Sequence, residues 1–168
     1  MRILGIDPGL RITGYGCIDT NAYQPFADPA VIEAGVIRLD TETPIPARLS
    51  ELHRDLTQII KQITPDRIVV EKLFAHYAHP TTAIKMGHAR GVILLAAQQH
   101  EIEIVEYSAT EVKKAVVGNG HADKHQMQLA IQAICKLAEL PAPSDVADAL
   151  AIAVTGARHR DPSQRARS

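Results

Sequence analysis

The sequence predicts one α/β domain whose sheet carries both antiparallel and parallel strands. Three strand-like segments precede any helical pattern, later β-branched runs alternate with amphipathic helices, and two of the apolar runs stop on an acid, at Asp7 and Glu71. A helix lies between those two runs, so the second strand is expected parallel to the first, with both acids on one edge of the sheet. In open α/β sheets the carboxyl edge of the strands is where ligands and chemistry collect.

A chain of 168 residues suits a single domain and can bury roughly 70% of the surface its unfolded form exposes. With 46% hydrophobic and 22% charged residues, it is neither disordered nor fibrous in composition. Cys17 and Cys135 lie in apolar surroundings without metal-ligand spacing, which marks them as core residues of a reducing compartment. The first residues have no leader pattern and no apolar run reaches the length of a bilayer span, so the expected location is cytoplasmic. A net charge of -1 argues against a protein that coats nucleic acid through bulk charge, and an anionic partner must meet a local patch. Arg158, Arg160, Arg165 and Arg167 crowd the end of the chain. The expected division is a domain over residues 1–157 and a basic, frayed tail over 158–168 that either is simply solvated or touches a phosphate backbone.

In chain order, Ile3, Leu4 and Ile6 form a run suited to a strand buried on both faces, and Pro8-Gly9 turns the chain after it. Asp7 reads either as a strand-end functional acid or as a turn-initiating residue. Residues 12–19 (ITGYGCID) alternate as a second strand paired back on the first, with Gly14 and Gly16 on one face leaving room for a close neighbour. Residues 21–29 are a loop by proline and polar content, and residues 30–39 a third strand. Leu49, Leu52, Leu56, Ile59, Ile60 and Ile63 recur at helical spacing over residues 46–63. Residues 66–71 (DRIVVE) repeat the opening pattern and end on Glu71.

Residues 73–80 are a loop, residues 81–99 a helix with a stripe of small residues, and residues 102–107 a fifth strand. A short helix over 109–117 stops at Gly118-Asn119-Gly120. A further helix over 123–139 buries Met127, Ala130, Ile131, Ile134 and Leu137. Pro141 and Pro143 break the chain before a last helix over about 144–157.

That last helix opens with Asp145-Val146-Ala147-Asp148, whose two acids share a face. Carboxylates at a helix start commonly cap free N–H groups. Here the rest of the helix is almost wholly apolar, so its acidic end is held against the sheet. If Asp7, Glu71, Asp145 and Asp148 converge, four carboxylates stand together without a comparable basic cluster. A hard divalent ion relieves their repulsion, and oxygen-only ligands select Mg²⁺ or Mn²⁺. Two such ions, typically about 3.5 to 4 Å apart, activate water for phosphodiester hydrolysis, so a metal-dependent nuclease is the expectation.

GIDPG at residues 5–9, Glu71 followed by Phe74, KMGHARG at 85–91, VVGNGHADK at 116–124 and DVADALAIA at 145–153 together resemble the RuvC Holliday-junction resolvases. The resemblance spans nearly the whole chain with its motifs in order. It implies a ribonuclease-H-like fold with a five-stranded mixed sheet flanked by helices. It further implies a Mg²⁺-dependent homodimer, with two ions in each active site, that nicks opposing strands of four-way junction DNA in recombination and repair. A branch-migration motor complex is the implied partner. The family's four catalytic acids fall on Asp7, Glu71, Asp145 and Asp148, which would hold the metal. Phe74 matches an aromatic that disturbs base stacking at the crossover. Lys113 and Lys124 match basic residues near the scissile phosphate, and Lys72, Lys85, Arg90, Lys114 and His125 are candidates for contact with the DNA backbone. The 21–29 loop is longer than the family's hairpin, Lys72 stands where a neutral residue is commoner, and some relatives carry histidine in place of Asp145. One alternative remains open, a non-catalytic junction-binding module in which the acids are caps and turn residues; an actin-like phosphotransferase is disfavoured, because the chain is too short for two such domains and has no second phosphate loop.

Overall fold

The computed structural model describes residues 1–20, 29–73 and 80–159. The elements run β1 (Arg2–Asp7), β2 (Ile12–Asp19), β3 (Ala30–Arg38), α1 (Ile45–Ile63), β4 (Arg67–Glu71), α2 (Pro80–Gln99), β5 (Glu103–Tyr107), α3 (Ala109–Val117), α4 (Lys124–Ile134) and α5 (Ser144–Arg158). The five strands form one sheet in the order β3-β2-β1-β4-β5. β1, β2 and β3 pair antiparallel as a meander, while β4 pairs parallel to both β1 and β5. The expected mixed sheet is therefore present, with β1 at its centre.

Strand alternation divides the core in two. Leu4 and Ile6 of β1 and Ile68 and Val70 of β4 point to one face, where they pack on the apolar stripe of α1 (Leu52, Leu56, Ile59, Ile60, Ile63) and on Ile93, Ala96 and Ala97 of α2. Ile3, Ile18 and Val69 point to the other face, against α3, α4 and α5. From Val146 to Gly156 only Asp148 of α5 escapes full burial. Such a helix comes this close to a sheet only where the strands lack side chains. A Cβ on Gly5 would lie 2.1 Å from the Ala149 carbonyl oxygen, and one on Gly16 within 2.8 Å of Leu150. The room left by the β2 glycines is thus taken by α5.

Helix ends follow local chemistry. Ser108 with Glu111, and Asp123 with Gln126, form reciprocal capping boxes on α3 and α4. The helix expected over 123–139 stops at Ile134, with Cys135 as its cap. Lys136 takes a left-handed φ of 51°, and the Leu137 amide turns back to the Gln132 carbonyl at 2.9 Å. The apolar period continues past the break because Leu137 still packs on the core after the backbone has left the helix. Arg158, grouped with the tail on sequence, closes α5, and its guanidinium donates to the Ala115 carbonyl. The tail from Arg160 onward and residues 21–28 of the long loop lie outside the described residues.

Candidate active site

Asp7 and Glu71 end neighbouring parallel strands in matched register, since Ile6 pairs with Val70. By alternation Asp7 shares the face of Ile3 and Gly5, and Glu71 shares the face of Val69, so both acids project toward the α3–α5 layer. Asp7 also pairs with Gly14 across the β1–β2 ladder. A Cβ on Gly14 would stand 2.2 Å from the Asp145 carbonyl oxygen and 3.3 Å from the Asp145 Cβ. The first turn of α5 is therefore seated on the strand beside Asp7. Three segments far apart in the chain bring Asp7, Glu71, Asp145 and Asp148 to one edge and one face of the sheet.

None of the four acts as a cap or a turn anchor. Pro143 is the N-cap of α5 and no side chain caps that helix. In the Pro8-Gly9 turn the Gly9 amide donates to Thr13 Oγ1 at 3.2 Å, where an anchoring Asp7 would have accepted a bond of its own. Among the described residues, none of these carboxylates makes a side-chain hydrogen bond or ion pair. They interact through charge. Burial, with the charges of Asp148, Glu71 and Asp145, pushes the Asp7 carboxyl up to about 7 from an ordinary 3.8. Burial and Asp148 also raise Glu71, and burial and Asp145 raise Asp148.

The site is an open acidic edge. Among the described residues, no three His, Cys, Asp or Glu side chains form a group that could hold a metal ion as they stand. The donor chemistry nonetheless fits a hard cation: four carboxylates without hydrogen-bonded partners, three of them pushed toward protonation by burial and mutual repulsion. A surface hollow of about 530 Å³, lined by α1 side chains including His53, Arg54 and Lys61, lies on the opposite layer and has no part in this edge.

Two of the sequence-nominated cations belong to the acids. Lys124, first residue of α4, pulls Asp7 and Asp148 back down, and Lys113 of α3 does the same for Glu71 and Asp148. Lys72 follows Glu71 directly and is exposed, as are Lys114 and His125 on α3 and α4. Lys85 and Arg90 are carried instead by α2, whose buried residues pack on the far face of the sheet. The Arg90 guanidinium is engaged with Glu106 of β5, so it is not a free cation. Phe74, with His76 and His79, lies outside the described residues.

Two supporting residues escaped the sequence reading. Thr13, fully buried, donates its hydroxyl to the Gly9 carbonyl at 2.6 Å while accepting the Gly9 amide. Buried Arg48 of α1 donates Nη1 to the Leu10 carbonyl at 3.0 Å. Together they clamp the turn that leaves Asp7. The available signal was an arginine four residues before Leu52, on the apolar stripe of its helix. Arg48→Met strands the Leu10 carbonyl in the core, and a loss of about 1 to 3 kcal/mol is expected. Urea midpoints read it, and a midpoint equal to the parent's would remove the clamp.

A family model described as crossover junction endodeoxyribonuclease RuvC matches residues 3–156. A crossover junction endodeoxyribonuclease RuvC from Rhodopirellula baltica is 45% identical over 154 residues, covering 92% of this chain and 84% of that protein. The one from Xanthobacter autotrophicus is 42% identical over 168 residues, covering all of this chain and 96% of its own. Among solved structures, T. thermophilus RuvC in complex with Holliday junction substrate superposes with a TM-score of 0.83 at 28% identity, over 94% of each chain. The yeast mitochondrial Holliday junction resolvase, at 14% identity and a TM-score of 0.67, shares the fold over 93% of this chain and 77% of its own.

Proposed function

Because the chain belongs to the RuvC family of crossover junction endodeoxyribonucleases, we propose that it resolves Holliday junctions, with Asp7, Glu71, Asp145 and Asp148 as the catalytic set. The observation that carries this reading is the gathering of four carboxylates, free of capping and ion-pair duties, on one edge of the sheet. In it these four acids hold Mg²⁺, with Mn²⁺ as a substitute. The bound ions would generate the hydrolytic nucleophile from water and neutralise the phosphoryl charge. Lys113 and Lys124, charge-coupled to the same acids, steady phosphate oxygens and offset the negative charge that develops on them. Phe74, three residues beyond Glu71 in the sequence, is the aromatic assigned the wedge role at the crossover. Two copies of the chain related by a two-fold axis would present two such edges to the two-fold substrate and cut opposing strands. A branch-migration motor complex is the accompanying partner.

A synthetic four-way junction incubated with the protein and Mg²⁺ tests the reading. Paired nicks in opposing strands are expected; a junction bound but left whole would instead favour the non-catalytic module. The ion and a proton compete for Asp7, whose carboxyl holds its proton up to about pH 7. Below that pH the Mn²⁺ concentration for half-maximal nicking should rise about tenfold per unit, and above it should level off. A requirement independent of pH between 5 and 8 would separate Asp7 from the metal.

A further inference from the structure

Two arginines outside the acid cluster share its edge of the sheet. Arg38, the last residue of β3, pairs with Ile12, and the Leu39 amide donates to the Arg11 carbonyl at 2.9 Å, so both arginines sit on adjoining backbone at one corner. Ile37 packs toward α1 and Val36 toward α5; by alternation Arg38 projects with Val36, on the face that carries Asp7 and Gly14. Only β2 separates β3 from β1, which sets Arg38 about 10 Å from the strand of Asp7. Both arginines are exposed, and among the described residues neither side chain makes an ion pair or hydrogen bond. They line a hollow of about 240 Å³ together with Asp40. Asp40 does not neutralise them by contact, because its carboxylate accepts from the Glu42 amide at 3.0 Å and the Thr43 hydroxyl at 3.3 Å.

We propose that Arg11 and Arg38 form a phosphate clamp for the junction arm that passes the acids on the β3 side. The inference rests on the junction-resolving reading and adds residues to it. An edge of four carboxylates repels a phosphodiester backbone, and a chain of net charge -1 has no bulk attraction to overcome this. Fixed cations flanking the acids must supply the hold. Two permanently charged guanidinium forks carried on adjoining backbone, neither with an ion pair or hydrogen bond among the described residues, suit phosphate oxygens bidentately and read no bases.

The test measures equilibrium binding of a four-way junction against salt, in the full chain carrying Asp7→Asn so that the DNA stays whole. Arg11→Gln with Arg38→Gln should lower the slope of log K against log salt by about 1.8, two phosphates' worth, and weaken binding at least about tenfold at physiological salt. Arg11→Lys with Arg38→Lys, which keeps the charge, should restore most of the slope. Arg54→Gln with Lys61→Gln removes two charges from the opposite layer and should leave the slope alone. An unchanged slope in the glutamine pair, or an equal fall in the α1 pair, overturns the clamp while the resolving function stands if the unsubstituted chain nicks the junction. An unsubstituted chain that neither binds nor nicks the junction overturns both.

Discussion

Asp7→Asn is expected to reduce junction nicking by about a thousandfold or more, since it removes a central carboxylate from the charge-stabilising set, while junction binding persists. Asparagine is nearly isosteric, and no side-chain hydrogen bond of Asp7 is lost among the described residues, so the fold has no reason to change. A stability measurement separates this effect from damage. In the folded chain the Asp7 carboxyl is raised from 3.8 to about 7, so between those values the folded state keeps a proton that the unfolded state gives up. Stability of the metal-free protein therefore falls as pH rises from about 4 to about 7, by up to about 4 kcal/mol, and falls no further on this account above it. Glu71 and Asp148, also raised, add to the same trend. The asparagine variant lacks the Asp7 share. With chelator present it should be more stable than the parent above pH 7 and close to it near pH 4. A variant that nicks at the parent's rate would remove Asp7 from the chemistry; one less stable at high pH would remove the repulsion argument.

Gly14→Ala is expected to be the most damaging small substitution at the site. Its methyl group would arrive 2.2 Å from the Asp145 carbonyl oxygen, against fixed backbone, where no flexible side chain can give way. Overpacking of this kind costs typically about 1 to 3 kcal/mol. The helix that must move is buried along its length, so relief comes by lifting its first turn, which carries Asp145 and Asp148 away from Asp7. A displacement near 1 Å of catalytic groups lowers turnover by about a hundredfold. Gly5→Ala makes an equally severe clash with the Ala149 carbonyl, midway along the helix. It should cost similar stability but less activity per folded molecule. Equal activity losses in the two variants, measured at matched folded fraction, would show that Gly14 acts only through stability.

Much of this was legible before any coordinates. The apolar runs ending at Asp7 and Glu71, the helical period between them and the Pro8-Gly9 break specify a parallel pair with its acids on one edge, because backbone pairing and alternation leave few other arrangements. The i,i+3 spacing of Asp145 and Asp148 nominated the acids of the last helix, and the motifs that resemble RuvC tied all four together. The period argument failed at the end of α4, where Leu137 stays on the core after the chain has left the helix. It was silent on Arg48, since a charge on an apolar stripe is read as an interruption until its acceptor, the Leu10 carbonyl, is seen.

Residue order alone thus nominated the acids proposed for the chemistry and determined which strands bear two of them, since strand and helix periods are local properties. Tertiary structure alone decided that Asp145 and Asp148 stand beside Asp7 with no capping role, that Arg90 is engaged with Glu106 on the far layer, and that Arg11 and Arg38 share the acids' edge of the sheet without an ion pair among the described residues. The reason is that proximity across a sheet depends on which helix can come closest to it. Here that was set by glycines whose missing side chains matter only once a partner is packed against them.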